Sequence, residues 1–332
     1  MERSQKVTLL MPKETPVPAG GFEPASSEYA FADRLAAWKA RWGINRYRLG
    51  IKPGLYALEG PSAGSPVFAT ANYKPSFDAL RRNLKGVSAW LLVLDTKGIN
   101  VWCAAGKGTF GTLELTRSIR ETGLGKLVSH RRIILPQLGA PGVSAHRVKA
   151  YTGFSVVYGP VRAGDIPEFL RLGNKATPQM RLVRFGFEDR IILAPMELVY
   201  FGKYLLPAAL LFYFLGARSD ALLTVFTLLA STALAPALLP WLPGRSFAVK
   251  GAFAGLLGIT AAFPLLRLGP LPLAARVMLY VPAASFIVLQ FTGCSTYTSL
   301  SGVMKEMRAA LPAQAVCAAA GLLMLLGGVL WR

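Results

Sequence analysis

The hydrophobic rhythm of the chain changes near residue 198. Before it, short apolar runs alternate with amphipathic ones: residues 67–72 read as a strand, 76–84 as a helix, 89–95 as a strand and 113–122 as a helix. Further strands are expected near Ile133 and over 154–158, then a helix over 166–172. Continuous or alternating apolar runs mark strands, and a 3.6-residue period marks helices. Their alternation predicts a parallel, Rossmann-like α/β sheet, and such sheets bind ligands beyond the carboxyl ends of their strands. Four loops would meet at that edge: 70–73, the stretch beginning at Asn100, 136–142 and 158–161.

After residue 198 come five apolar segments, about 198–215, 221–239, 247–266, 271–290 and 312–330. Each is close to the roughly 20 residues that cross a bilayer as a helix. Pro207, Pro236, Pro264 and Pro282 fall within them, and neighbouring helices can satisfy the backbone groups a proline frees. The expected organisation is an N-terminal arm (1–59) with an amphipathic piece over 29–42, an α/β domain (60–178), a linker (179–197) and an all-α transmembrane domain of five helices (198–332). The early apolar run 7–11 is too short for a signal-peptide core.

Composition agrees with a membrane protein. Hydrophobic residues make up 53% of 332 positions and the mean hydropathy is +0.41, too apolar for an ordinary soluble chain. The formal charge of +20, from 37 basic against 17 acidic residues, is concentrated in the first 200 positions. No zinc-finger spacing or aromatic RNA-binding signature accompanies it, which points away from nucleic acid and toward membrane lipid and an acidic protein partner. Arg245 and Lys250 flank the second connection between spans and Lys305 and Arg308 the fourth, whereas the first and third carry only Arg218 and Arg267. With the basic linker, this places the amino-terminal half in the cytoplasm and Arg332 outside. Arg276 falls inside the fourth span and either snorkels or faces the bundle.

The three cysteines, Cys103, Cys294 and Cys317, are far apart and form no Cys-x-x-Cys pair, so neither a disulfide framework nor a zinc or iron–sulfur site is encoded. Cys294 and Cys317 are expected to be apolar packing residues. Cys103 lies in Asn-Val-Trp-Cys-Ala-Ala-Gly-Lys over 100–107, between a strand-like and a helix-like run. Asn100 suits a helix N-cap, which puts Cys103 at the third helical position, where free amides and the helix dipole favour an anion. Lys107 is on the same face four residues on, and Ala104, Ala105 and Gly106 are small enough to let a flat ligand approach. A lone cysteine beside Trp and Ala is, from composition alone, more often an inert core residue than a ligand. A phosphate-binding loop does not fit: Val101 stands where that motif needs glycine and Gly108 where it needs Ser or Thr.

Residues 100–112, Asn-Val-Trp-Cys-Ala-Ala-Gly-Lys-Gly-Thr-Phe-Gly-Thr, resemble the cap-helix signature of the corrinoid protein of the bacterial mercury-methylation pair, the HgcA family. The likeness extends to Pro-Val-Phe-Ala-Thr-Ala-Asn-Tyr-Lys at 66–74, to 130–142, to Tyr-Gly-Pro-Val at 158–161 and to 291–307, covering roughly residues 60–310. More distantly, the soluble half is similar to the cobalamin-binding domain of the corrinoid iron–sulfur protein of the acetyl-CoA pathway, which lacks the cap cysteine.

The resemblance implies a corrinoid-dependent methyltransferase in the cytoplasmic membrane of a bacterium or archaeon, making methylmercury from mercury(II). Its cofactor would be cobalamin or a related corrinoid, with the Cys103 thiolate as lower ligand to cobalt. Asn100, Val101, Trp102, Ala104, Ala105, Gly106 and Lys107 would form the cap, with Thr70, Asn72, Gly139 and Pro160 as further contacts. The implied partners are a ferredoxin-like iron–sulfur protein of the HgcB type as electron donor and a methyl donor from a methylated-folate pathway. A cobalt-ligating Asp-x-His-x-x-Gly pattern is absent, so His130 reads as a strand-end structural residue and His146 as a helix-surface residue. The competing class is a membrane transporter or sensor with a cytoplasmic ligand-binding domain, although the spans offer few polar residues to line a pathway. A cofactor-free mercury-binding thiol protein is a weaker alternative, because tight mercuric binding uses two thiols.

Overall fold

A computed structural model describes residues 21–44, 49–291, 297 and 300–330. The run 7–11, Cys294, Arg332, and residues 292–296 and 298–299 of the 291–307 stretch lie outside the described residues. The chain divides into two compact units, residues 1–37 with 47–182, and residues 38–46 with 183–332.

The first unit contains, in chain order, β1 (Glu23–Ala25), the start of α1 (Phe31–Arg41), β2 (Gly54–Leu58), β3 (Val67–Ala71), α2 (Lys74–Arg82), β4 (Ala89–Leu94), α3 (Val101–Lys107), α4 (Thr112–Glu121), α5 (Leu124–Leu127), β5 (Arg132–Leu135), α6 (Ala145–Thr152), β6 (Ser155–Tyr158) and α7 (Ile166–Arg171). The strands form one sheet in the order β1-β2-β4-β3-β5-β6. Side chains alternate across it. Val67, Ala69, Ala71, Trp90, Leu92 and Leu94 pack on one face with α3, α4 and α6. Phe68, Leu91 and Val93 pack on the other with Phe77 and Leu80 of α2 and Ile166 and Phe169 of α7. Burial on both faces explains why β4 reads as an uninterrupted apolar run, Ala-Trp-Leu-Leu-Val-Leu.

The expected parallel sheet is corrected at its first two strands, since β1 runs parallel to β2. β4, β3, β5 and β6 are mutually parallel, but β2 runs antiparallel to β4, so the sheet is mixed. The physical reason is the connection from β2 to β3, residues 59–66, which contains no helix. A parallel crossover needs a dozen or more residues, so the chain turns back. β1 and β2 come from the stretch read as an N-terminal arm.

The second unit carries α8 (Phe187–Ile191), α9 (Ala194–Phe214), α10 (Arg218–Leu229), a π-helical turn (Ala230–Leu234), α11 (Ala235–Leu238), α12 (Phe247–Ala262), α13 (Pro270–Gln290) and α14 (Leu300–Leu330). Among the described residues, five stretches are long and apolar enough to cross a membrane: Phe187–Phe214, Arg218–Leu238, Phe247–Leu265, Pro270–Gln290 and Ser301–Gly327. The fifth helix starts twelve residues before the apolar run at 312–330, since residues 300–311, which include Lys305, Glu306 and Arg308, are helical as well. A Cβ on Gly251 would lie 2.7 Å from the Cα of Ser285, so this glycine lets α12 and α13 approach closely. Arg276 faces the bundle, its Nη2 and Nε lying 2.6 and 2.9 Å from the Asp220 carboxylate of α10. Cys317, expected to pack, is instead exposed on α14, whose apolar window is only 6% buried in the protein.

Candidate functional site

The sheet has a switch point between β3 and β5. The chain leaves β3 through α2 toward β4 on one side, and leaves β5 through α6 toward β6 on the other. The two crossovers cover opposite faces, and β3 and β5 share a single registered pair, Phe68 with Ile134. A crevice opens where adjacent connections part in this way. It is a cavity of about 400 Å³ lined by Phe68, Ala69 and Thr70 of β3, Ile134, Leu135 and Pro136 of the β5 end, and Gly159 and Pro160 after β6. That volume lies within the usual range of ligand pockets, about 300–1,000 Å³.

One wall of the crevice is the start of α3, and its position is set by a buried amide. Asn72, 7% exposed, follows β3. Its Oδ1 accepts from the Thr96 amide at 3.0 Å and the Gly98 amide at 2.9 Å, and the Thr96 hydroxyl lies at 2.9 Å. That hydroxyl is 2.6 Å from the Ile99 carbonyl; its one proton serves the nearer acceptor. Lys97 and Gly98 both take positive φ, 59° and 69°. Asp95 closes the turn by accepting from the Lys97 amide at 3.0 Å and its ammonium at 2.5 Å. The Lys97 hydrogen bonds hold the Asp95 carboxyl below its ordinary value against a smaller opposing effect of burial.

The turn delivers Asn100 in extended conformation, φ −64° and ψ 160°, and its Oδ1 accepts from the Cys103 amide at 2.9 Å. Cys103 is thus the third residue of the helix, as the spacing predicts. Val101, Ala104 and Ala105 are buried, whereas Trp102, Cys103, Gly106 and Lys107 are exposed. The exposed set recurs at three- and four-residue spacing and forms one outward face. Within it, no heavy atom approaches within 4 Å of a Cβ built on Gly106. Beneath α3 lies the 3-10 turn Gln137–Gly142. A Cβ on Gly139 would come within 2.5 Å of the Phe110 ring, and one on Gly142 within 2.1 Å of the Phe110 carbonyl, so this turn sits under the helix only with glycine at both places.

The predicted site residues therefore separate into three groups. Thr70, Asn100, Val101, Trp102 and Pro160 line the crevice. Cys103, Gly106 and Lys107 lie on the outward face of α3 beside it. Asn72, Ala104, Ala105 and Gly139 are buried beneath and support the helix. Sequence reasoning missed the α2 wall of the crevice, Pro75, Ser76, Ala79 and Leu80, whose residue types carry no signal of their own. His130 Nε2 lies 2.9 Å from the Ser65 carbonyl at the start of β5, a structural contact. His146 is exposed in α6, beside the Ser144 hydroxyl at 3.1 Å.

This is a mixed α/β sheet whose switch point carries a capped cysteine helix. Residues 46–170 match the family of CO dehydrogenase/acetyl-CoA synthase delta subunits. The chain is 33% identical over 122 residues to the acetyl-CoA decarbonylase/synthase complex subunit gamma of Archaeoglobus fulgidus, covering 36% of this chain and 26% of that one. It is 34% identical over 123 residues to the corresponding subunit of Methanocaldococcus jannaschii, covering 36% and 25%. With the corrinoid/iron–sulfur protein large subunit of Moorella thermoacetica it shares 29% identity over 137 residues, covering 39% and 30%. The chain spans less than a third of the length of these relatives. The α/β unit is related to corrinoid proteins, and the likeness lies over the unit that carries the crevice and α3.

Proposed function

We propose that the chain is a membrane-anchored, corrinoid-dependent methyltransferase that passes a methyl group from cobalt to inorganic mercury(II), giving methylmercury. The observation that carries this reading is the exposed Cys103 on an N-capped helix beside a switch-point crevice, in a unit related to corrinoid proteins. The outward face of α3 fits a flat macrocycle, since Cys103 is exposed and the space over Gly106 is open. Cys103 would give its thiolate sulfur to cobalt, and Thr70, Asn100, Val101, Trp102 and Pro160 would hold the edge of the ring. When bound, the corrinoid supplies a cobalt centre that accepts and releases a methyl group. A thiolate is a strong donor, and its choice as ligand favours a methyl group that leaves electron-rich.

The residues of this chain orient that donor. Asn100 fixes the Cys103 backbone, Asn72 fixes the turn before it, and Ala104 and Ala105 hold the helix against the sheet. Among the described residues no cluster of His, Cys, Asp or Glu could hold a metal ion, which favours a separate electron donor, a ferredoxin-like iron–sulfur protein; the methyl donor would come from methylated folate. The five apolar stretches favour a multi-pass protein of the cytoplasmic membrane, with the α/β unit in the cytoplasm. The test is the visible absorption of the full chain prepared with cobalamin, beside methylmercury formation. A bound corrinoid with a sulfur-ligated cobalt spectrum, lost in Cys103→Ala, is expected. A bound corrinoid with the same spectrum in Cys103→Ala defeats the assignment.

A further inference from the structure

Helix α1 has two faces of opposite chemistry. At 3.6 residues per turn, Phe31, Leu35, Trp38 and Trp42 fall in an arc of about 60°; the Trp42 amide continues the helical turn by donating to the Trp38 carbonyl at 3.2 Å. Phe31, Leu35 and Trp38 are 78%, 38% and 51% exposed. Arg34 and Arg41 lie along one margin of this stripe and Lys39 along the other, all exposed. The opposite face is anchored. The Asp33 carboxylate lies 2.6 Å from both Lys74 Nζ and Arg81 Nη2. Asp78 engages the same two cations at 2.8 Å each. The helix is therefore held with its apolar stripe turned outward.

A stripe of large apolar residues with cations on both margins matches a helix lying in a membrane surface. Aromatic rings suit the interface, and long basic side chains on both margins reach the headgroup phosphates. Trp38 and Trp42 also belong to the compact unit that contains the five apolar spans, so the chain that carries the stripe brings a bilayer with it. We propose that α1 lies in the headgroup layer of an anionic bilayer, with Phe31, Leu35, Trp38 and Trp42 toward the acyl chains and Arg34, Lys39 and Arg41 on the phosphates. This rests on the membrane part of the proposed function and is independent of corrinoid chemistry. It makes α1 a second membrane attachment, apart from the spans.

The test uses the full chain in lipid nanodiscs of phosphatidylcholine, alone or mixed with phosphatidylglycerol. A photoreactive p-benzoylphenylalanine replaces Leu35 or Trp38, and in a control replaces Tyr151, which is 47% exposed on α6. Irradiation followed by mass spectrometry reads phospholipid adducts. Positions 35 and 38 are expected to give them and position 151 not, with higher yield in the mixed discs. The combined Arg34→Glu, Lys39→Glu and Arg41→Glu variant, altered only at exposed positions, should lower the yield by about tenfold or more. Its circular dichroism should match that of the parent. Adducts to a second copy of the chain instead of lipid, yields equal to the Tyr151 control, or yields indifferent to phosphatidylglycerol would each overturn the proposal. A chain that enters discs yet gives no adduct leaves the membrane reading intact; one that remains monodisperse in buffer without lipid or detergent defeats that reading itself.

Discussion

Buried polar groups do different work in the two units. In the α/β unit, Asn72 and Thr96 are 7% and 0% exposed and direct their hydrogen bonds into one turn, whose effect is to present Cys103 outward. In the helical unit they close helix ends and join helices. Lys250 donates to the carbonyls of Leu239 and Leu242 and Arg190 to those of Pro236 and Ala237, while the half-buried Glu306 accepts from Ser246 and the Ala248 amide. In the membrane location proposed for these helices, hydrocarbon would offer no hydrogen bonds, so a helix end or charge there would need its partner within the protein. Water can complete a loop in the first unit, which leaves its polar residues available for shaping a site. In the first unit these bonds set the position of an exposed cysteine, and in the second they join helices.

The comparison can be broken most directly at the cysteines. Cys103→Ala should lose nearly all methyl transfer and the sulfur-ligated spectrum, whereas Cys317→Ala on α14 should retain most of both. Comparable losses in the two variants would mean that the site is not confined to the α/β unit. Next in size is Arg276→Leu, which leaves the Asp220 carboxylate, 13% exposed, without its cation. Removing one partner of a buried pair costs about 3 kcal/mol or more, and neutralising the other recovers much of it. Detergent-induced unfolding should show that loss for Arg276→Leu and a partial return on adding Asp220→Asn, with the corrinoid spectrum unchanged in both.

Asn72→Ala should have a smaller but local effect. It strands two amides of the turn, at a cost of about 2 kcal/mol. Amide exchange should accelerate over residues 95–107 and not in β5 or β6, and Asn72→Asp, which keeps an acceptor oxygen, should restore part of the protection. Uniform acceleration across the sheet would make Asn72 a general packing residue and not the holder of the turn.

The alternation over residues 67–172 was legible because burial on two faces writes itself into the sequence as apolar runs. Strand direction does not: Gly-Leu-Tyr-Ala-Leu at 54–58 pairs antiparallel, and only the helix-free connection after it gives the direction away. Asn100 was legible as a cap because its partner is three residues on. Asn72 was not, since its partners are 24 and 26 residues away, and an asparagine at a strand end looks the same whether it meets a ligand or a loop. The crevice wall from α2 was missed for a related reason. Pro75, Ser76 and Ala79 carry no distinctive chemistry and gain a role only through the switch point beside them.

The smallest effect concerns acid. Burial alone would raise the Asp33 carboxyl, but hydrogen bonds from Lys74 and Arg81 outweigh it and hold the group at about 2, below its ordinary 3.8. A carboxylate whose folded value is depressed adds stability above its unfolded value, and that stability disappears as pH falls through the folded one. The contribution of Asp33 is therefore complete at neutral pH and declines between about pH 4 and pH 2. The shift corresponds to no more than about 2.5 kcal/mol, and partial solvent contact makes about 1 kcal/mol the better expectation. Thermal unfolding of the full chain in discs, followed by circular dichroism over that window, should show a fall in midpoint that is reduced in Asp33→Asn. Arg276 and Asp220 provide the contrast: Asp220→Asn should leave the Asp33-dependent part of the acid response in place. If Asp220→Asn abolished it instead, the acid-sensitive ion pair would belong to the spans and not to the anchor of α1.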